Sequence, residues 1–277
     1  MMNVIMTLLE KEWLEHKVVT RVPLFLLFVG LAMLVLLFSN AGFQSNISYE
    51  LSYNFDDWDS GLNFGEQLSH IIFFLSGIVS ILLSTLYFPK TLRKERLEGS
   101  LMFWRSMPVS DGTQHVIKLI FGLVIVPVIC SILVISTDII MWATSHFLNE
   151  KMPSFWGGGS LLYVLTHWLE FIFRMWAVGI ALLPLAILAM AISQRINSPL
   201  LIMLLGFYVL KLLSSLIFGD AMLSQFFRLV MWLPINVLTE DSIYYAFTQF
   251  GTLNLGIYFL LGVVSLLVSL RLSRTVT

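Results

Sequence analysis

Six stretches of this chain, 22–38, 69–88, 118–142, 168–192, 199–218 and 251–270, are apolar almost without interruption. Nothing else in the sequence narrows its possible folds as much. A helix rises about 1.5 Å per residue, so about 20 apolar residues cross a hydrocarbon layer about 30 Å thick. Inside that layer every backbone N–H and C=O needs a partner within the protein, which leaves helices or a closed barrel. The runs are continuously apolar rather than alternating, and that pattern selects helices. With 58% hydrophobic and 12% charged residues, and a mean hydropathy of +0.87, the chain lies far from soluble composition, where about a quarter of residues are charged. These observations predict an all-α integral membrane protein whose 277 residues form a single transmembrane domain of six helices. A net charge of −1 offers no concentrated basic face, and so argues against nucleic-acid binding. The lone cysteine, Cys130, lies in the third run and permits no intrachain disulfide or cysteine-based metal cluster, so it is expected as a small packing residue. The N-terminal stretch lacks the pattern of a cleaved signal peptide, and the first span is expected to serve as an uncleaved anchor.

Charge then orients the runs. The connection between the second and third runs holds Lys90, Arg93, Lys94, Arg96 and Arg105, five of the sixteen basic residues. Lys11, Lys17, Arg21, Lys118, Arg195, Arg271 and Arg274 fall on the same side under a six-span topology, and only Lys151 and Arg228 on the other. The positive-inside rule places the first group, and with it both termini, in the cytoplasm. Residues 39–68 contain no lysine or arginine but carry Glu50, Asp56, Asp57, Asp59 and Glu66, as an outer loop would. Their spacing fits no calcium-binding loop. Residues 3–20 read as an amphipathic interfacial helix, with Ile5, Leu9 and Trp13 on one face and Lys11, Glu12, Glu15 and Lys17 on the other. Residues 220–250 are too long for a tight turn and still apolar, with Pro234 in their middle. They are expected to form two short re-entrant helices dipping into the outer leaflet.

The basic connection, 89–113, carries its own signal. Leu97, Leu101 and Trp104 recur at i, i+4 and i+7, which predicts a short amphipathic helix after Pro89 that ends before Pro108. Ser110 is placed to cap the helix that follows, with Asp111 in its first turn against the positive end of the helix dipole. The run Glu95-Arg96-x-x-Gly99-Ser100-Leu101, followed by Ser106-x-Pro108-Val109-Ser110 and Lys118, resembles the cytoplasmic signature of type-2 ABC exporter permeases. The resemblance implies a six-span membrane subunit of the bacterial inner membrane, beginning with an elbow helix on the membrane surface. It implies that the loop holds a coupling helix docked on a separate ATP-binding cassette subunit, with Glu95, Arg96, Glu98, Gly99, Ser100 and Leu101 at or near that contact. It further implies a second permease subunit, identical or related, so that the translocation route forms between two chains surrounded by membrane lipids.

Apart from Lys118 at the mouth of the third run, four charges fall inside the apolar runs and need an explanation, since a charge at the bilayer centre costs about 2.5–3.5 kcal/mol on insertion scales. Depth accounts for most of it. Asp138 lies about 30 Å along the helix from Lys118, and Arg174 about 31 Å from Arg195, which puts both near the outer interface. Glu170 and Arg174 share a face at i, i+4 and can neutralise each other. Lys211 lies deepest, about 18 Å from Pro199, with a stem long enough to snorkel. Interfacial pairing explains them, and so does a role lining the outer end of a substrate path or gate.

The five histidines show no H-E-x-x-H spacing, and no metal or cofactor site is expected in the chain. No G-x-x-x-x-G-K-[ST] occurs either, so ATP and its magnesium would have to be bound on the partner subunit. Three functions compete. The chain is a permease subunit without ATPase chemistry of its own, a membrane scaffold that recruits an ATPase, or a six-span membrane enzyme. The last needs a nucleophile–base pair inside the spans, and no motif in the sequence supplies one. Co-purification with an ATP-binding protein separates the first two from the enzyme, and ATP-dependent flux in vesicles separates permease from scaffold.

Overall fold

The computed structural model describes residues 2–39, 64–97, 110–148, 160–196, 198–218 and 221–275. Those residues are almost entirely helical, with no strand among them. In chain order the helices are α1 (Met2–Glu15), α2 (Lys17–Ser39), α3 (Phe64–Leu97) and α4 (Asp111–Ile120). A π-helical turn, Phe121–Ile125, joins α4 to α5 (Val126–Leu148). Then come α6 (Leu161–Ser193), α7 (Pro199–Phe218), α8 (Ala221–Thr239), α9 (Ile243–Phe250) and α10 (Thr252–Thr275). Four segments are long and apolar enough to cross a membrane, namely Leu68–Leu92, Asp111–Ala143, Leu161–Ser193 and Thr252–Ser273. A fifth is reached if the bent pair Ile5–Glu15 and Lys17–Met33 is counted as one span. The protein is thus an all-α, multi-pass membrane protein. Of the six expected spans, 199–218 matches α7 in its bounds, but its described apolar part, Pro199–Leu213, is shorter than a crossing requires.

Several helices run further than their sequence signals suggest. The second span was expected to stop at Pro89, yet α3 carries a buried Pro89 and continues to Leu97. Pro234 was expected to break the 220–250 stretch, yet it lies inside α8, and the break falls at residues 240–242 instead. Pro184, which the expected fourth span already contained, sits inside α6. Proline removes one backbone donor but does not forbid a helix whose neighbours pack around the gap. The third span begins at Asp111 rather than Lys118. Ser110 caps it as its position suggests, in extended conformation, with its hydroxyl accepting from the Thr113 N–H at 3.1 Å. Residues 98–109, which include Glu98, Gly99, Ser100, Leu101 and the Trp104 stripe, lie outside the described residues.

The chain forms two compact units. The first comprises Met1–His16, Ser80–Pro127 and Arg174–Thr277, and the second comprises Lys17–Val79 and Val128–Phe173. In the first unit the core runs through Phe121, Val126, Val178, Ala181 and Val237, each sealed from solvent. The π turn sits where α3 crosses this core. Ser84 donates to the Gly122 carbonyl at 2.7 Å, filling an acceptor at the point where the hydrogen-bond ladder changes register. Gly122 lets the Tyr87 and Phe88 rings lie on the backbone, for an added Cβ would overlap the Phe88 ring and sit 2.9 Å from Tyr87 Cδ1. Gly122→Val therefore costs about 1–3 kcal/mol by overpacking. Denaturant unfolding of the detergent-solubilised chain measures that loss, and a Phe88→Ala background removes most of it. A second close approach joins α6 to α10, where a Cβ on Gly262 would stand 3.1 Å from Pro184 Cα. The Tyr258 hydroxyl donates to the Ala181 carbonyl beside it, at 2.7 Å.

In the second unit, α3, α5 and α6 contribute Phe73, Leu133, Val134, Met141, Val164 and Phe171 to the buried interior. Cys130 is fully buried there, as its place in an apolar run suggested.

Candidate functional site

The first unit gathers its polar residues where α1, α3, α4, α6 and α10 have the ends that flank or neighbour the basic connection. Glu12 of α1 is the hub. It is 3% exposed, and Lys118 of α4, 2% exposed, donates to its Oε1 at 2.6 Å. The Tyr87 hydroxyl of α3 donates to Oε2 at 2.7 Å, and His16 Nε2 lies 3.5 Å from the same oxygen. Glu12 was placed on the solvated side of an interfacial helix. Instead Leu8 and Glu12 form the packed face, while Ile5, Met6, Trp13 and Leu14 are exposed. The reversal has a physical cause, since a buried carboxylate is tolerated only with a counter-charge and filled lone pairs, and Lys118 and Tyr87 supply both. The expected 3–20 helix is also divided, because the chain leaves helical geometry at His16 and the remainder belongs to α2.

A second network extends this layer. His115 Nδ1 lies 2.8 Å from the Asp111 carbonyl, which makes that nitrogen the donor and leaves Nε2 to accept from the Ser269 hydroxyl at 2.8 Å. Gln194 Nε2 in turn donates to Ser269 Oγ at 2.8 Å and to the Ser269 carbonyl at 3.2 Å. Ser273 donates to Asp111 Oδ2 at 3.3 Å. The start of α4 is thereby tied to α10, and the end of α6 is tied to the same serine. None of Tyr87, His115, Gln194 or Ser269 was singled out from sequence, and Glu12 was named only as part of a solvated face. The available signal was their shared position beside basic span ends.

Glu95 and Arg96 lie on the last turn of α3, next to this layer in sequence. Arg174 is buried and donates to the backbone carbonyls of Leu238, Glu240 and Asp241, the first and last at 3.3 Å. A guanidinium there satisfies one carbonyl in the last turn of α8 and two in the connection that follows it. Glu170 is exposed on α6, and Lys211 is exposed on α7.

Asp138 belongs to a compact cluster in the second unit. His167 Nδ1 lies 2.7 Å from its Oδ2, and the Ser69 hydroxyl donates to its Oδ1. Ser69 Oγ also stands 3.3 Å from His167 Nδ1. The three side chains come from α3, α5 and α6 and are 2%, 3% and 5% exposed for Ser69, Asp138 and His167. No nucleophile–base pair was expected from sequence, yet serine, histidine and aspartate meet here. Their geometry is unlike that of a hydrolytic relay, in which the carboxylate holds one imidazole nitrogen and the serine the other. Here both face Nδ1. Among the described residues no group of three His, Cys, Asp or Glu side chains is arranged to hold a metal ion.

Comparison of the chain with protein-family models, with curated proteins and with solved structures finds no match. The permease resemblance therefore stands on the loop residues that carry it.

Proposed function

We propose that this chain is the membrane-spanning permease subunit of an ATP-driven exporter. It would use the 89–113 connection to receive motion from a separate ATP-binding cassette subunit, with a second permease chain completing the route. Its own residues would carry no ATPase chemistry, and ATP with magnesium would bind on the partner. The finer architecture of this reading comprises six spans, an elbow helix, a coupling helix and re-entrant helices, in the bacterial inner membrane with both termini cytoplasmic.

The observation that best supports the reading is Glu12. One carboxylate on α1 holds both helices that flank the basic connection, α3 through Tyr87 and α4 through Lys118. A force applied to that connection would reach α1, α3 and α4 together rather than bending one helix alone. Packed helices respond to such a force by moving as bodies between discrete arrangements.

The test is affinity capture of the full chain from membranes, with ATP hydrolysis measured in the eluate. Wild-type chain retains an ATP-binding partner and its hydrolysis. Arg96→Glu and Glu98→Arg each lower the captured hydrolysis at least about tenfold, the loss expected when a charged contact worth about 1.4 kcal/mol or more is reversed. Undiminished capture in both variants, or labelling of Lys90 from the extracellular face, would overturn the proposal.

A further inference from the structure

We propose that Ser69, Asp138 and His167 form a proton-binding site within the helices of the second unit. The ligand is a single proton, taken up on His167 Nε2 and balanced by the carboxylate bonded to Nδ1. This goes beyond the permease reading and does not depend on it.

The carboxylate has both oxygens engaged, Oδ1 by the Ser69 hydroxyl and Oδ2 by His167 Nδ1 at 2.7 Å. With Asp138 ionised, Nδ1 must carry a hydrogen, so the uncharged ring keeps its only lone pair on Nε2. That atom is fully buried and has no hydrogen-bond partner. Rings surround the imidazole. Tyr163 stacks on it at 5.4 Å, Phe73 lies at 5.0 Å, and His70 meets it edge-on at 5.6 Å. The titratable groups around it are thus Asp138 from α5, His70 from α3 and Tyr163 from α6. Among the described residues no lysine or arginine forms an ion pair with Asp138.

An ionised carboxylate beside a neutral imidazole leaves one uncompensated negative charge among apolar helices. One proton removes it. The proton comes from water and bonds to Nε2, giving an imidazolium whose charge Asp138 balances, and it returns to water from the same atom. The close ring packing leaves room for a proton and excludes a larger polar ligand. A serine, a histidine and an aspartate that served only to pack three helices together would have no need of an open basic nitrogen.

The test uses the full chain in lipid nanodiscs with ¹⁵N-labelled histidine, His167 being assigned as the resonance lost in His167→Gln. As pH falls from about 9 to about 5, across the interval in which histidines usually titrate, the wild-type ring nitrogens change from the neutral pattern, with hydrogen on Nδ1, to the imidazolium pattern. In Asp138→Asn the ring stays neutral across that range. Ser69→Ala keeps both charges and the fold, and displaces the half-point at least threefold in proton concentration, because it removes the hydroxyl from the facing carboxylate. Should Asp138→Asn fail to fold, the wild-type and Ser69→Ala titrations still decide the matter. A wild-type ring that keeps one protonation state throughout overturns the proposal, as does a half-point unmoved by Ser69→Ala or a transition unchanged in a folded Asp138→Asn.

Discussion

Replacing Lys118 with methionine lowers the unfolding free energy of the chain by about 3–5 kcal/mol, the cost of leaving a buried carboxylate without its counter-charge. Glu12 has no solvent to fall back on, and its remaining partners, the Tyr87 hydroxyl and His16, compensate for only part of a negative charge. The double variant Glu12→Leu/Lys118→Met recovers most of the loss, because two apolar side chains of similar volume replace the pair at little cost. Titration of the detergent-solubilised protein with a denaturing detergent, followed by helical circular dichroism, measures all of these variants. A single-variant loss under about 1 kcal/mol would place the pair among weak surface bridges and remove α1 from its role as a clamp.

Arg174→Met produces the second large effect, a loss of about 1.5–3 kcal/mol, as expected for hydrogen bonds made by a charged donor to otherwise open carbonyls. The damage should be local. Without the guanidinium, the carbonyls of Leu238, Glu240 and Asp241 lose the group that gathers them, and the junction between α8 and α9 opens. Amide hydrogen exchange over residues 236–246 rises in the variant while the interiors of α6 and α10 stay protected. Uniform acceleration along the whole chain would instead assign Arg174 to the general stability of the first unit.

Much of the fold was legible in the residues themselves. Unbroken apolar runs, the Ser110 cap and the bounds of α7 follow from hydropathy and capping chemistry acting within a few residues. Proline was misleading for a related reason. Its local effect is to withhold one N–H, but whether a helix stops there depends on packing from elsewhere, and Pro89 and Pro234 both lie inside helices. The polar clusters were hidden by distance along the chain. A helical wheel shows that Glu12 is charged and not that a lysine 106 positions away will neutralise it. Asp138 was assigned to the outer interface, and His167 stands one residue before the 168–192 run, at the outer end of the next span, which was the clue to their meeting. Ser69, the third member, is a residue type too common in membrane helices to attract notice.

Where Gly262 meets Pro184, the proline lies against a helix position that has no side chain. Such a contact is smooth, so nothing there ratchets one rod against the other. Resistance comes from pegs on either side, the Tyr258 hydroxyl on the Ala181 carbonyl and the Gln194 amide on Ser269. Any swivel of α10 on α6 must therefore pull out one peg or the other while the bearing between them stays in place.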